Sequence, residues 1–272
     1  MLFGLMSFWG ELLWFESLGQ TQRFGTAVLA RLLTVAVAAA FSAAIVFVLT
    51  LPIPKTPPFA RTWPQSVAVA VGGVWGWSNW DTLLKWWYAV PTDLRDPIFG
   101  WSTGFYLFGL PLLDSVVGLC IVLALITITA AAVWAYAPRE MERASTRQIE
   151  VRFTRKYEDY RPVYFALGVF ALALAAAQSL AVFHLIYSSH GVVTGPGWTD
   201  VHVRVPALIV LAITTAAMGV LLFVRPVTAR LHRQLAGEAL HGPAPGLRPF
   251  AVPAAIVAIV WGLSALVVPA LV

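Results

Sequence analysis

Six stretches of this chain are each long and apolar enough to cross a lipid bilayer, and no other feature constrains the fold as strongly. They cover residues 24–51, 64–90, 105–136, 163–187, 205–224 and 250–271. About 20 apolar residues in an α-helix span the hydrocarbon layer. Within it every backbone N–H and C=O must find an internal partner, so spanning segments are helical. Pro52 and Pro54 stop the first run and Pro138 ends the third. The second is less uniform: it meets Ser78, Asn79 and Asp81 before Trp86, Trp87 and Tyr88, so a break with re-entry competes with a full crossing. The expected fold is an all-α, polytopic bundle of about six transmembrane helices, preceded by residues 1–23 as an interfacial segment. Composition agrees, because 59% of the residues are hydrophobic and only 11% charged. A soluble domain carries about 25% charged residues to wet its surface. A soluble enzyme domain, a disordered tail and a secreted disulfide scaffold are thereby excluded. Cys120 stands alone inside an apolar run, which excludes an intrachain disulfide and a thiolate metal cluster.

The net charge of +5 does not point to nucleic acid, since the basic residues are scattered through short loops and build no continuous face. Their distribution orients the chain instead. If all six segments span, the loops 52–63, 137–162 and 225–249 carry thirteen Lys and Arg, against four on the opposite side. The positive-inside rule then places both termini outside the cell in a bacterial plasma (inner) membrane. The full crossing of 64–90 is also favoured, because re-entry would move Lys55 and Arg61 outside. Basic residues are nearly all Arg, with Lys only at 55, 85 and 156, a usage that hints at a GC-rich bacterial genome. Residues 1–19 lack the basic start and small-residue cleavage site of a secretory signal. Their Trp9, Trp14 and Phe15 beside Glu11 and Glu16 suit a membrane interface. In the largest polar loop Ile149, Val151 and Phe153 alternate with charges, as in a short strand or an interfacial ribbon. The stretch 241–249 reads as a turn into the last helix.

Candidate chemistry gathers at the expected outer side. Trp75, Trp77, Trp80, Trp86, Trp87, Tyr88, Phe99, Trp101, Phe105 and Tyr106 form an aromatic belt, or alternatively a stacking platform for a lipid or sugar. The loop 187–204 combines Gly191, Gly195, Pro196 and Gly197 with Tyr187, Trp198, Thr199, Asp200 and His202. A rigid cap over two helix ends is the plain reading. His190, Asp200 and His202, with His184 nearby, are weak candidates for a metal through imidazole and carboxylate, although their spacing matches no zinc or copper template. Asp96 before Pro97 favours a turn. Asp96 and Asp200 share one expected side, where two carboxylates could act as an acid/base pair or bind a cation. Inside the spans, Arg31 and Asp114 lie at similar depth on parallel helices and are expected to pair. The alternatives are that Arg31 snorkels, that Asp114 caps backbone freed by Pro111, or that both line an ion path. Gln178 is expected to bond a neighbouring helix. No phosphate-cradling glycine loop, metalloprotease helix or nucleophile elbow occurs, so no cofactor and no nucleotide partner is expected.

Three stretches are more specific. They are ELLWFESLG (11–19), followed by Phe24, Thr26 and Arg31; DPIFGWSTGFYLFGLP (96–111); and YSSHGVVTGPGWTDVHVRVPA (187–207). Together they resemble the membrane portion of the bacterial multi-pass family catalogued as uncharacterised protein family 0182. The resemblance implies an Asp-Pro-x-Phe-Gly segment before a Gly-Phe-Tyr-Leu-Phe helix start and a later Gly-x-Gly-Tyr-Thr-Asp-Val-His loop, in this order over nearly the whole chain. It implies no biochemical activity. Ser102 and Thr103 stand where the family usually has Arg-Asp, Trp198 replaces its Tyr, and Ala181 and His184 replace acidic positions. Family members are expected to be longer, with one more N-terminal helix and a large extracytoplasmic domain. The chain therefore reads as a membrane half: a short paralogue, a split gene or a truncation. The resulting expectation is a membrane scaffold or accessory subunit whose outer loops dock a protein partner, an oligomer mate or an envelope lipid. A transporter using Asp114 and Arg31 and a membrane enzyme with an outer metal site are the competing classes.

Overall fold

The computed structural model describes residues 2–53, 58–90, 92–136, 157–187 and 195–237. Among them the protein is all-α, with seven α-helices: α1 (Leu2–Ser17), α2 (Thr21–Thr50), α3 (Pro58–Trp87), α4 (Leu110–Tyr136), α5 (Tyr157–His184), α6 (Val205–Leu221) and α7 (Arg225–Gly237). Four helical stretches are long and apolar enough to cross a membrane: Thr21–Thr50, Phe105–Ala135, Tyr160–Tyr187 and Asp200–Leu221. They match four of the expected spans. The expected sixth span 250–271, the ribbon at 149–153 and the turn at 241–249 lie outside the described residues. α3 runs unbroken through Ser78 and Asn79, so the break considered from the sequence does not occur. The Asn79 side chain donates instead to the Trp75 carbonyl one turn back, at 2.9 Å. α3 is 30 residues long but is not among the four apolar candidates, as its polar and glycine positions foretell.

The helices overrun the hydropathy boundaries. α3 begins before Pro64 and α5 before Pro162, since hydropathy marks the hydrocarbon edge while backbone bonding continues into the headgroup region. Both prolines lie past the first turn of their helices, so each removes one intrahelical bond. α1 ends in a Schellman motif: Gln20 N donates to Phe15 O and Gly19 N to Glu16 O, with Gly19 at φ 66°. That left-handed residue turns the chain into α2, where buried Phe24 meets the rings of Phe8 and Phe15 at 5.3 and 5.7 Å. α7 occupies part of what the sequence reading left as an inner loop. Its buried Thr228 and half-buried Leu231 face the body, and Leu231 packs on the cluster of Tyr160, Val163, Tyr164 and Leu167.

Successive helices α2 to α6 pack antiparallel. Buried Ser42 faces Gly72 while Thr34 faces Gly76, the Trp75 indole donates to the Ser115 carbonyl, and Leu185 and Leu208 share a cluster. Small residues set the closest approaches. A methyl on Gly168 would lie 2.9 Å from the Gly219 carbonyl, and one on Gly219 3.0 Å from the Gly168 carbonyl. In lipid, where hydrophobic burial does not drive helix association, such close backbone contact supplies dispersion energy. The outward faces carry Val37, Phe41, Val210 and Ile213, each at least 60% exposed, as a lipid-facing surface requires. One end of the bundle thus collects the α1–α2 turn, the α3–α4 loop and the start of α6, and the expected loop residues Asp96, Phe99, Trp198, Thr199, Asp200 and His202 lie there.

Candidate functional site

Two π-turns shape this end, and their cause is in the sequence. Phe105–Gly109 and Asp200–Arg204 are π-helical, with Leu110 N bonded to Phe105 O and Val205 N to Asp200 O. Each immediately precedes a helix whose second residue is proline, Pro111 or Pro206. A proline ring clashes with the carbonyl four residues earlier, and one widened turn relieves that clash.

Asp96 is the hub of the α3–α4 loop. Its carboxylate accepts from Ile98 N (3.1 Å), Phe99 N (2.7 Å) and the Tyr106 hydroxyl (3.1 Å). The first two bonds make the turn expected of Asp before Pro, and the third ties the loop to the first turn of the α4 span. Asp96 N also donates to Trp101 O, Gly100 N to Asp96 O, and Thr103 N to Leu94 O. Gly100, at φ 72°, supplies the left-handed residue that closes the loop. Ser102 Oγ accepts from Phe105 N, an N-cap at the position where the sequence departs from its resemblance. Half-buried Phe99 plugs into the body, stacking edgewise on Phe183 at 5.6 Å beside Val182, Leu185 and Leu208.

The second loop is braced in the same way. Asp200 is buried, accepts from Gly197 N at 2.9 Å and faces Arg204 at 3.5 Å. Trp198 and His202, both exposed, stack with centroids 4.5 Å apart and planes at 15°, and His202 Nδ1 lies 3.0 Å from Trp198 O. Thr199 is exposed and forms no side-chain cap bond. Asp96 and Asp200 each find partners in their own segment of the chain, Asp96 in residues 98–106 and Asp200 in residues 197–204. Asp200 and His202 point to different partners rather than to a common centre. Among the described residues no group of three or more His, Cys, Asp or Glu side chains converges, and His190 lies outside those residues.

The intramembrane pairing also differs from expectation. Asp114 Oδ2 sits 2.8 Å from His184 Nε2, on α5, and not beside Arg31. The Arg31 guanidinium lies against two indoles of α3, 4.6 Å from the Trp77 ring and 4.7 Å from the Trp80 ring. The similar depth expected from the sequence did not bring the two side chains together, because each faces a different neighbour. His184, at the last turn of α5, was noted only as a weak metal candidate. Tyr187 stands nearby, with rings 6.2 Å apart from His184, and its hydroxyl donates to the Tyr106 carbonyl at 2.9 Å. Tyr106 therefore joins Asp96 on one side to Tyr187 on the other, a role that the aromatic-belt reading did not reveal. Gln178 is buried with Oε1 unpartnered among the described residues, so the expected bond to a neighbouring helix is not made by that atom.

The profile of the Uncharacterised protein family (UPF0182) matches residues 54–272. Among curated relatives, a UPF0182 protein of Synechococcus sp. (strain JA-3-3Ab) is 33% identical over 75% of this chain and 23% of its own length. One of Sulfurovum sp. (strain NBC37-1) is 31% identical over 57% of this chain and 16% of its own. One of Geobacter sp. (strain M21) is 34% identical over 57% of this chain and 17% of its own. The chain thus spans about a quarter or less of the length of these relatives. No solved structure matches it.

Proposed function

Because the chain belongs to the Uncharacterised protein family (UPF0182), whose bacterial relatives are much longer than itself, and has four helical stretches apolar enough to cross a membrane, we propose that it is a membrane-embedded scaffold or accessory subunit. Its outer loops dock a partner protein or an envelope lipid. In this reading the protein crosses a bacterial plasma membrane six times, α3 and residues 250–271 included, with both termini extracytoplasmic. The observation that carries it is the use of the loop carboxylates. Asp96 and Asp200 hold their own loops rigid through internal hydrogen bonds, which leaves neither poised to transfer a proton. The braced loops present Tyr88, Leu94, Trp101 and Trp198, each between 49% and 75% exposed. Apolar side chains held out on a rigid polar frame suit docking. Photo-crosslinking residues placed at Leu94 and Trp198 in intact membranes test this. Discrete crosslinked species are expected from both positions and not from lipid-facing Ile213, and a diffuse smear from all three would overturn it.

A second reading, transport, is favoured by Asp114 and His184 alone, since a hydrogen-bonded carboxylate–imidazole pair within apolar helices can pass a proton. Proteoliposomes loaded with a pH dye would show an Asp114-dependent flux on this reading. Absence of flux would leave the scaffold.

A further inference from the structure

We infer that Arg31, held against Trp77 and Trp80, binds the phosphodiester headgroup of one membrane lipid. This goes beyond the loop-docking function, because the site lies on the α2–α3 seam rather than in the loops. Arg31 carries five N–H donors in a planar fork with no acceptor capacity. Both indoles lie within stacking distance of the guanidinium carbon, which orients the group and, with Nε buried, leaves the Nη1–Nη2 edge to meet an acceptor. Nε is buried without an acceptor, and no carboxylate pairs with Arg31 among the described residues. The acid nearest in sequence to the clasp, Asp81, is held by Lys85 at 3.0 Å on the next turn of α3. The positive charge is therefore left for an external oxyanion.

Depth identifies the source of that oxyanion. From Leu32 to Leu51 twenty residues follow without a single charge, the length that spans a hydrocarbon core of about 30 Å. Arg31 stands at the edge of that run, at the level of lipid phosphates, with the indoles where interfacial tryptophans settle. Around it Leu29, Leu32 and Leu33 are 55–59% exposed and Trp77 is 56% exposed, an apolar bed for acyl chains below a fork for two phosphate oxygens. A guanidinium binds such an oxygen pair in bidentate fashion, and free inorganic phosphate offers the same fork without the chains.

Native mass spectrometry of the full chain in mild detergent separates these sources. The probes are phosphatidylglycerol, diacylglycerol with the same chains, and inorganic phosphate. The expected result is a one-lipid adduct with phosphatidylglycerol and none with diacylglycerol. Arg31→Gln should weaken the adduct about tenfold or more, as loss of roughly 1.4 kcal/mol implies, and Arg31→Lys, keeping the charge but not the fork, should fall between. Wild-type affinity in Arg31→Gln overturns the site, and so does equal binding of diacylglycerol. Displacement of the lipid by millimolar inorganic phosphate overturns the lipid assignment. If Arg31→Gln does not fold, Trp77→Phe with Trp80→Phe carries the test: undiminished binding in that variant overturns the clasp.

Discussion

Two glycines three residues apart on α3 should respond to alanine in opposite directions. A methyl on Gly76 would lie 2.8 Å from the Thr34 carbonyl oxygen, 2.8 Å from Val35 Cα and 3.0 Å from the Thr34 carbonyl carbon. All three are backbone atoms of α2, so no side-chain rotation relieves the overlap. Carbon atoms sit comfortably at about 3.5–4.0 Å, so the helices must part by roughly 0.7 Å at this crossing. Overpacking of this kind costs about 1–3 kcal/mol. A separation of that size also forfeits a quarter to a half of each neighbouring dispersion contact along the seam. Alanine returns up to about 1 kcal/mol of helix propensity, which leaves Gly76→Ala destabilised by roughly 1–2 kcal/mol. A methyl on Gly73 meets only Val35 Cγ1, at 3.9 Å, so Gly73→Ala keeps the propensity gain and should be neutral or slightly stabilised. Reversible unfolding in mixed micelles of increasing SDS fraction, read by circular dichroism, compares the two. If Gly76→Ala unfolds at the same SDS fraction as Gly73→Ala or later, the close α2–α3 crossing is refuted.

Other substitutions test the site itself. Asp96→Asn replaces an acceptor of three hydrogen bonds by one that must turn an N–H₂ toward some of the same donors. The α3–α4 loop should lose about 2–3 kcal/mol of local stability and become cleavable by protease in the folded protein; unchanged protection would show that the hub is not holding it. Tyr187→Phe removes the single donor to the Tyr106 carbonyl, and a loss of about 1 kcal/mol should lower the thermal midpoint by a few degrees without changing helicity. Gly168→Ala, whose methyl would press on the Gly219 carbonyl at 2.9 Å, should weaken the α5–α6 seam by a similar amount. Cys120 is exposed on a membrane-spanning helix, so a membrane-impermeant maleimide should leave it unlabelled in intact membranes and modify it after denaturation in SDS. Labelling before denaturation would contradict the assigned span.

What was readable in the amino-acid sequence depended on sums over neighbours along the chain. Mean hydropathy over about 20 residues located the helices from Phe24, Phe105, Val163 and Val205 onward, because partition into hydrocarbon adds residue by residue. Asp96-Pro97 announced its turn for the same local reason. Pro111 and Pro206 contained the signal for both π-turns, and Gly72-x-x-x-Gly76 the signal for a close helix crossing, although neither was drawn out. The amphipathic α7 was missed because its short apolar face is visible only at helical spacing, within a basic stretch. The sequence alone therefore determined that this is a helical membrane protein and roughly where its four most apolar helical stretches lie. Which polar side chains meet was decided by tertiary structure. Arg31 and Asp114 were expected to meet, yet one faces Trp77 and Trp80 and the other His184. Hydropathy is nearly blind to the rotation of a helix that is apolar all round, and only packing against neighbours fixes it, as where Gly72 and Gly76 meet α2 and Gly168 meets Gly219.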